Sequence, residues 1–199
     1  PADLKVELTP GRIERGAYLA NHVCVCTDCH SKRDWSSFAG PVQPGTLGMG
    51  GERFDASMNF PGTFFARNIT PAGVGSWSDG ELYRAITSGV SKDGHPFFPV
   101  MPYPRYNRLS TEDVYSIIAY LRTLPAIENA VEASDPQFPV NVILRTVPEP
   151  AAPMERPDPA DELALGAYLT NAAACGECHT RTEKGKKVGE AFAGGFEFM

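Results

Sequence analysis

The sequence predicts an all-α protein built as two tandem copies of one small domain, with long glycine- and proline-rich loops and an incomplete second copy. Three observations predict this. The tetrapeptide Gly-Ala-Tyr-Leu occurs at residues 16–19 and again at 166–169. Each occurrence is followed by Cys-x-x-Cys-His, first at Cys26, Cys29 and His30, then at Cys175, Cys178 and His179. The regular segments around them carry apolar residues at helical spacing.

The repeat keeps its register. Gly16 lies ten residues before Cys26, and Gly166 nine before Cys175. Beyond the histidines, Phe38-Ala39-Gly40 and Gly50-Gly51 find a compressed echo in Phe192-Ala193-Gly194-Gly195-Phe196. Self-similarity on this scale is read as domain duplication.

In the first copy, Thr9-Pro10 forms an N-cap with proline at the first helical position. Ile13, Gly16, Ala17 and Ala20 continue it at helical spacing. Ser78 with Glu81 spells a capping box, and Leu82, Ala85 and Ile86 supply its apolar face. Ser110 with Asp113 is the weaker version of the same box. Val114, Ile117, Ile118 and Leu121 form its stripe, and Pro125 follows its end. Residues 31–77 show little periodicity and many glycines, so loops are expected there.

Seven prolines between Pro136 and Pro159 predict an extended, polyproline-like linker. Phe138, Val140, Val142, Ile143 and Leu144 within it are expected to pack partly on a domain surface. Asp158-Pro159 is read as the cap of the second copy's first helix. The expected boundaries are 1–127 for the first domain, 128–157 for the linker and 158–199 for the start of the second domain. A counterpart of Met101 in the second copy would fall past Met199.

Composition narrows the function classes. A formal charge of −6 argues against nucleic acid, since phosphate recognition wants a basic face. No run approaches the ~18 uninterrupted apolar residues of a membrane span. The start at Pro1 reads as a processed N-terminus with the leader removed.

Cys-x-x-Cys-His is the attachment signature of c-type haem. Two thiols on one turn can form thioethers to the two vinyl groups of a porphyrin, and the adjacent histidine then lies under the iron. A zinc site would want the two cysteine pairs close together, and 149 residues separate Cys26 from Cys175. A thioredoxin-like pair needs a βαβ context, which the sequence lacks. A structural disulfide would not explain the two histidines.

The sixth iron position decides the chemistry. Met101 is the leading candidate, in the loop Pro99-Val100-Met101-Pro102-Tyr103-Pro104, where prolines stiffen the chain that presents the sulfur. His95, Met58 and Met49 are rivals, and His95 and His22 read as surface or loop histidines. The second copy shows no distal ligand within the sequence. Cys24, the fifth cysteine, reads as a free buried thiol; pairing between molecules and competition for the haem vinyl group are its alternatives.

These stretches resemble a known family. Gly-x-Tyr-Leu before the motif, Cys26-Thr27-Asp28-Cys29-His30, Asn68-Ile69-Thr70-Pro71, Gly75-Ser76-Trp77-Ser78-Asp79, Met101-Pro102-Tyr103-Pro104 and Asp113 through Pro125 are similar to the multihaem cytochrome c subunits of periplasmic alcohol, aldehyde and sugar-acid dehydrogenases. The resemblance covers nearly all of the first copy and only the opening of the second. It implies a cytochrome c fold in each copy, with the first and last helices crossing near Gly16, Tyr18, Tyr120 and Leu121. It also implies that Asn68, Thr70 and Trp77 lie near the haem, with the Trp77 indole as a donor to a propionate.

The expected function is electron transfer through two covalently attached haem c groups, from a dehydrogenase to an oxidase or a soluble carrier. The alternative is a dihaem enzyme, thiosulfate dehydrogenase-like or peroxidase-like, with an exchangeable ligand. No nucleic acid and no transmembrane segment are expected; peripheral membrane association fits. Covalent haem attachment outside the bacterial cytoplasm implies a periplasmic location.

Overall fold

The computed structural model describes residues 3–183 and 186–195. Helix α1 (Pro10–Tyr18) begins as the sequence predicts: Thr9 is extended, Pro10 opens the helix, and the Arg12 amide donates to Thr9 Oγ1 at 3.3 Å. The helix continues into one π turn at Leu19–Val23. A short helix, α2 (Cys26–Cys29), carries the first cysteine pair.

The stretch expected to be loop holds more. Strands β1 (Arg53–Phe54) and β2 (Gly62–Phe65) pair antiparallel, with Phe54 opposite Phe64. Helix α3 (Pro71–Val74) follows. The fold is therefore mostly helical with small sheets, rather than all-α. Strands this short leave too few residues for a period to be read.

Helix α4 (Asp79–Ser88) has the full capping box: the Glu81 amide donates to Ser78 Oγ and the Ser78 amide to the Glu81 carboxylate. After α5 (Tyr103–Tyr106) comes α6 (Thr111–Thr123), the longest helix described. Its box is completed differently. The Asp113 amide donates to Ser110 Oγ at 3.1 Å, but the Ser110 amide donates to the Tyr168 hydroxyl at 2.9 Å. The Asp113 carboxylate, fully buried, instead pairs with Arg15 at 2.9 Å and accepts from Tyr168 at 2.8 Å.

The crossing of α1 and α6 is where the resemblance implies. A Cβ added to Gly16 would sit 1.9 Å from the Ser116 carbonyl oxygen and 2.8 Å from Tyr120 Cβ. Only glycine lets the two backbones come this close. Tyr18 is not part of it: the residue is 42% exposed and its ring lies under the Arg15 guanidinium.

The linker is not uniformly extended. Strand β3 (Asp135–Pro136) adds to β2 with Gly62 opposite Pro136, and α7 (Val140–Ile143) makes one turn of helix. Leu144 is buried, whereas Phe138, Val142 and Ile143 are exposed.

Helix α8 (Glu162–Ala172) is capped by Asp161, not Asp158. Asp158 closes a local turn onto the Ala160 amide. Helix α9 (Cys175–His179) carries the second motif, followed by the antiparallel pair of β4 (Thr182–Glu183) and β5 (Lys186–Lys187). Tyr168 and Ala172 of α8 join the same apolar core as Leu19, Leu82, Ile86, Val114, Ile117 and Ile118. Among the described residues, no helix is long and apolar enough to cross a membrane.

Candidate haem sites

The two cysteine motifs adopt the same local structure. The residue before each first cysteine is left-handed: Val25 at φ 46° and Ala174 at φ 54°. Such a conformation costs a non-glycine residue on the order of 1–3 kcal/mol and needs surrounding support. Here the Asp28 amide donates to the Val25 carbonyl at 3.1 Å, and the Glu177 amide to the Ala174 carbonyl at 2.9 Å. Each turn holds one half-buried thiol, Cys26 or Cys175, and one exposed thiol, Cys29 or Cys178.

The correspondence continues past the histidines. The His30 carbonyl accepts from the Gly50 amide, and the His179 carbonyl from the Gly194 amide, both at 2.8 Å. The next side chain grips the same loop two residues earlier. Ser31 Oγ accepts from the Gly48 amide at 3.0 Å, and Thr180 Oγ1 from the Phe192 amide at 3.1 Å. Ser31 and Thr180 are both buried. Its mark in the sequence is a hydroxyl residue directly after each motif histidine, a signal outside the repeat as described above.

The first site is the more complete. His30 Nδ1 donates to the Arg67 carbonyl at 2.6 Å. A carbonyl can only accept, so the proton is on Nδ1 and Nε2 keeps its lone pair. Burial pushes the imidazole below its ordinary value, which favours the neutral form. The Arg67 segment is braced by its neighbours. Asn68 Nδ2 donates to the Ile127 carbonyl at 2.8 Å, Thr70 Oγ1 donates to Asn68 Oδ1 at 2.7 Å, and the Ile127 amide donates to Thr70 Oγ1 at 3.2 Å. Gly50, at φ +73°, lies so close that a Cβ would be 2.5 Å from the Arg67 carbonyl carbon.

Met101 is half-buried on the apolar core, as are Cys26 and Trp77. Phe98, in the same proline-flanked loop, stacks on Phe64 at 4.3 Å, and Phe60 meets both rings edge-on. The sequence reading missed this aromatic group. Of the rival ligands, Met58 and His95 are exposed and Met49 is half-buried. His22 is exposed, near the Tyr18 ring. His179 is exposed, and Met199 and Phe196 lie outside the described residues.

The chemistry of the thiols narrows what the motifs can do. Burial pushes Cys26 up to about 12 and Cys24 well above its ordinary value. A redox-active dithiol needs the opposite shift, toward thiolate. Cys24 is a free thiol, 2% exposed, whose carbonyl accepts from the Tyr106 hydroxyl. Among the described residues, no three or more His, Cys, Asp or Glu side chains cluster as a metal site. Two thiols and an oriented imidazole on one turn suit a covalently tethered haem instead.

No protein-family model matches the chain. Comparison with curated proteins does find relatives. A gluconate 2-dehydrogenase cytochrome c subunit of Pantoea cypripedii is 33% identical over 182 residues, covering 84% of this chain and 38% of that protein. A dihaem cytochrome c-type protein of Cereibacter sphaeroides is 34% identical over 164 residues, covering 78% of this chain and 53% of that protein. A fructose dehydrogenase cytochrome subunit of Gluconobacter japonicus is 33% identical over 184 residues, covering 84% of this chain and 34% of that protein. The chain thus spans between about a third and about a half of these relatives. Over most of its own length it is a homologue of c-type cytochromes, similar to the cytochrome c subunits of dehydrogenases and to a dihaem cytochrome c.

Proposed function

We propose that this chain carries two covalently attached haem c groups and conducts electrons from a partner dehydrogenase toward an oxidase or a soluble carrier outside the cytoplasm. Cys26 and Cys29 would tether the first haem, and His30 Nε2 and the Met101 sulfur would hold its iron. Cys175 and Cys178 would tether the second, with His179 on its iron. When bound, each haem supplies a one-electron couple whose potential the protein sets.

The observation that carries this reading is the shared hydrogen-bond frame. Both histidine carbonyls, both following hydroxyls and both preceding left-handed residues make equivalent bonds around Cys-x-x-Cys-His. That frame fixes each histidine beside its cysteine pair, where it would meet the iron of a tethered haem. In the first site the Arg67 carbonyl fixes the His30 tautomer and raises its basicity as a ligand. Asn68 and Thr70 act by bracing that carbonyl, and the Trp77 indole is the proposed donor to a propionate. The phenylalanines beside the Met101 loop keep water from the ligand side.

The absorption spectrum of the oxidised native protein tests the ligand set. A sulfur-to-iron band at ~695 nm is expected for His/Met ligation, and Met101→Leu should abolish it. A band that survives Met101→Leu, or a wild-type protein that is high-spin throughout, would reject Met101. Copurification with a dehydrogenase subunit tests the partner.

A further inference from the structure

Helix α5 touches the approach to the first motif and the second motif itself. Its Tyr106 hydroxyl donates to the Cys24 carbonyl at 2.7 Å, two residues ahead of the first motif. Its Arg105 reaches the second. Arg105 Nε donates to Glu177 Oε1 at 2.6 Å, and Glu177 stands between Cys175 and Cys178. The Arg105 carbonyl also accepts from Asn171 Nδ2 of α8 at 3.2 Å. Arg105 lies four residues beyond Met101. One turn of chain therefore joins the Met101 loop, the approach to the first motif and the interior of the second.

The strength of the ion pair does not explain its position. The Arg105 and Glu177 side chains are 33% and 47% exposed, and such pairs contribute about 0–1 kcal/mol to stability. A charge fixed beside a haem acts differently: it shifts the balance between oxidised and reduced iron. Glu177 places a negative charge within the second motif, and Arg105 and Lys187 together offset it.

We propose that Arg105 is a positioning residue that couples the two haem sites: it docks the second motif against the segment following Met101 and neutralises Glu177, so that the second haem stays reducible by the first. The proposal rests on both motifs being haem sites. Electron exchange between them breaks no bond and moves no proton. Without Arg105, the carboxylate is offset by Lys187 alone, so ferric iron is favoured at the second motif and its potential falls.

The test is spectroelectrochemical titration of the chain, with haem content fixed first by intact mass. In Arg105→Gln, one of the two midpoints should fall enough to move the inter-haem equilibrium at least threefold, about 28 mV at 59 mV per tenfold. Glu177→Gln should raise the same midpoint, the double variant should return toward wild type, and Arg105→Lys should keep the wild-type value. The shifts should shrink at high ionic strength, because the pair is partly exposed. Two midpoints unmoved in both Arg105→Gln and Glu177→Gln would overturn the proposal and leave Arg105 a structural clip. A mass showing one haem or none would instead overturn the two-haem reading beneath it.

Discussion

Replacing Gly16 by alanine tests the packing that supports the first motif. The added Cβ would meet the Ser116 carbonyl oxygen at 1.9 Å and its carbon at 2.5 Å. Helix α1 would have to retreat by more than an ångström merely to reach 3.0 Å, below which real Cβ contacts essentially do not occur. Two effects compete. Alanine is the better helix former by about 1 kcal/mol. Overpacking a rigid contact costs about 1–3 kcal/mol, occasionally more. The clash is with backbone and no side chain can swing away, so the cost should lie at the top of that range, about 3 kcal/mol, for a net loss of about 2 kcal/mol after the helix-forming gain. At 2–4 °C per kcal/mol for a chain of this size, Tm should fall by about 4–8 °C. The same tetrapeptide supplies its own control. A Cβ at Gly166 meets nothing within 4 Å, so Gly166→Ala should be neutral or raise Tm by a few degrees, on the order of 1–4 °C. Thermal unfolding of the haem-loaded chain, followed by far-UV circular dichroism, reads both. A Gly16→Ala protein as stable as wild type, or a Gly166→Ala protein that loses as much, would refute the packing argument.

Gly50→Ala should push the Arg67 carbonyl away from His30, since the new Cβ would lie 2.5 Å from the Arg67 carbonyl carbon. Losing that hydrogen bond makes His30 a weaker electron donor to iron, and the first haem's midpoint should rise, by at most about 20–60 mV if the whole bond of about 0.5–1.5 kcal/mol favoured the ferric state alone; an unchanged midpoint would detach that bond from haem tuning. Tyr168 is pushed up to about 12, chiefly by burial. A raised value means the folded state favours the neutral phenol, so its contribution is complete below its ordinary value of 10 and lost as pH climbs through about 12. Protease sensitivity of the segment joining α7 to α8 should increase across that window in wild type and show no such step in Tyr168→Phe; identical profiles would contradict the assignment.

Where the sequence and the structure agree, a short-range chemical rule was in force. Thr9-Pro10 and Ser78 with Glu81 cap helices because capping depends on residues three apart. Gly16 was recognisable through the resemblance, and the two cysteine motifs through their spacing. Other features depended on partners distant in sequence. Tyr18 and Tyr168 share one tetrapeptide, yet only Tyr168 is buried, because it alone meets Ser110 and Asp113. The carbonyl orienting His30 belongs to Arg67, and a backbone acceptor leaves no mark on residue type. The turn at Val140–Ile143 formed within a proline-rich segment because no proline falls between Pro139 and Pro148. Asp161 displaced Asp158 as the cap of α8 because Asp158 spends its side chain on a nearer amide.

Everything proposed above depends on both Cys-x-x-Cys-His turns holding haem. Intact mass of protein matured in a host competent for cytochrome c assembly tests it directly, combined with peptide mapping of the cysteines. The expected result is the chain mass plus two haems, thioether-linked at Cys26, Cys29, Cys175 and Cys178, with Cys24 alone alkylatable after denaturation. A mass equal to the bare chain, with all five thiols free to react, would contradict it.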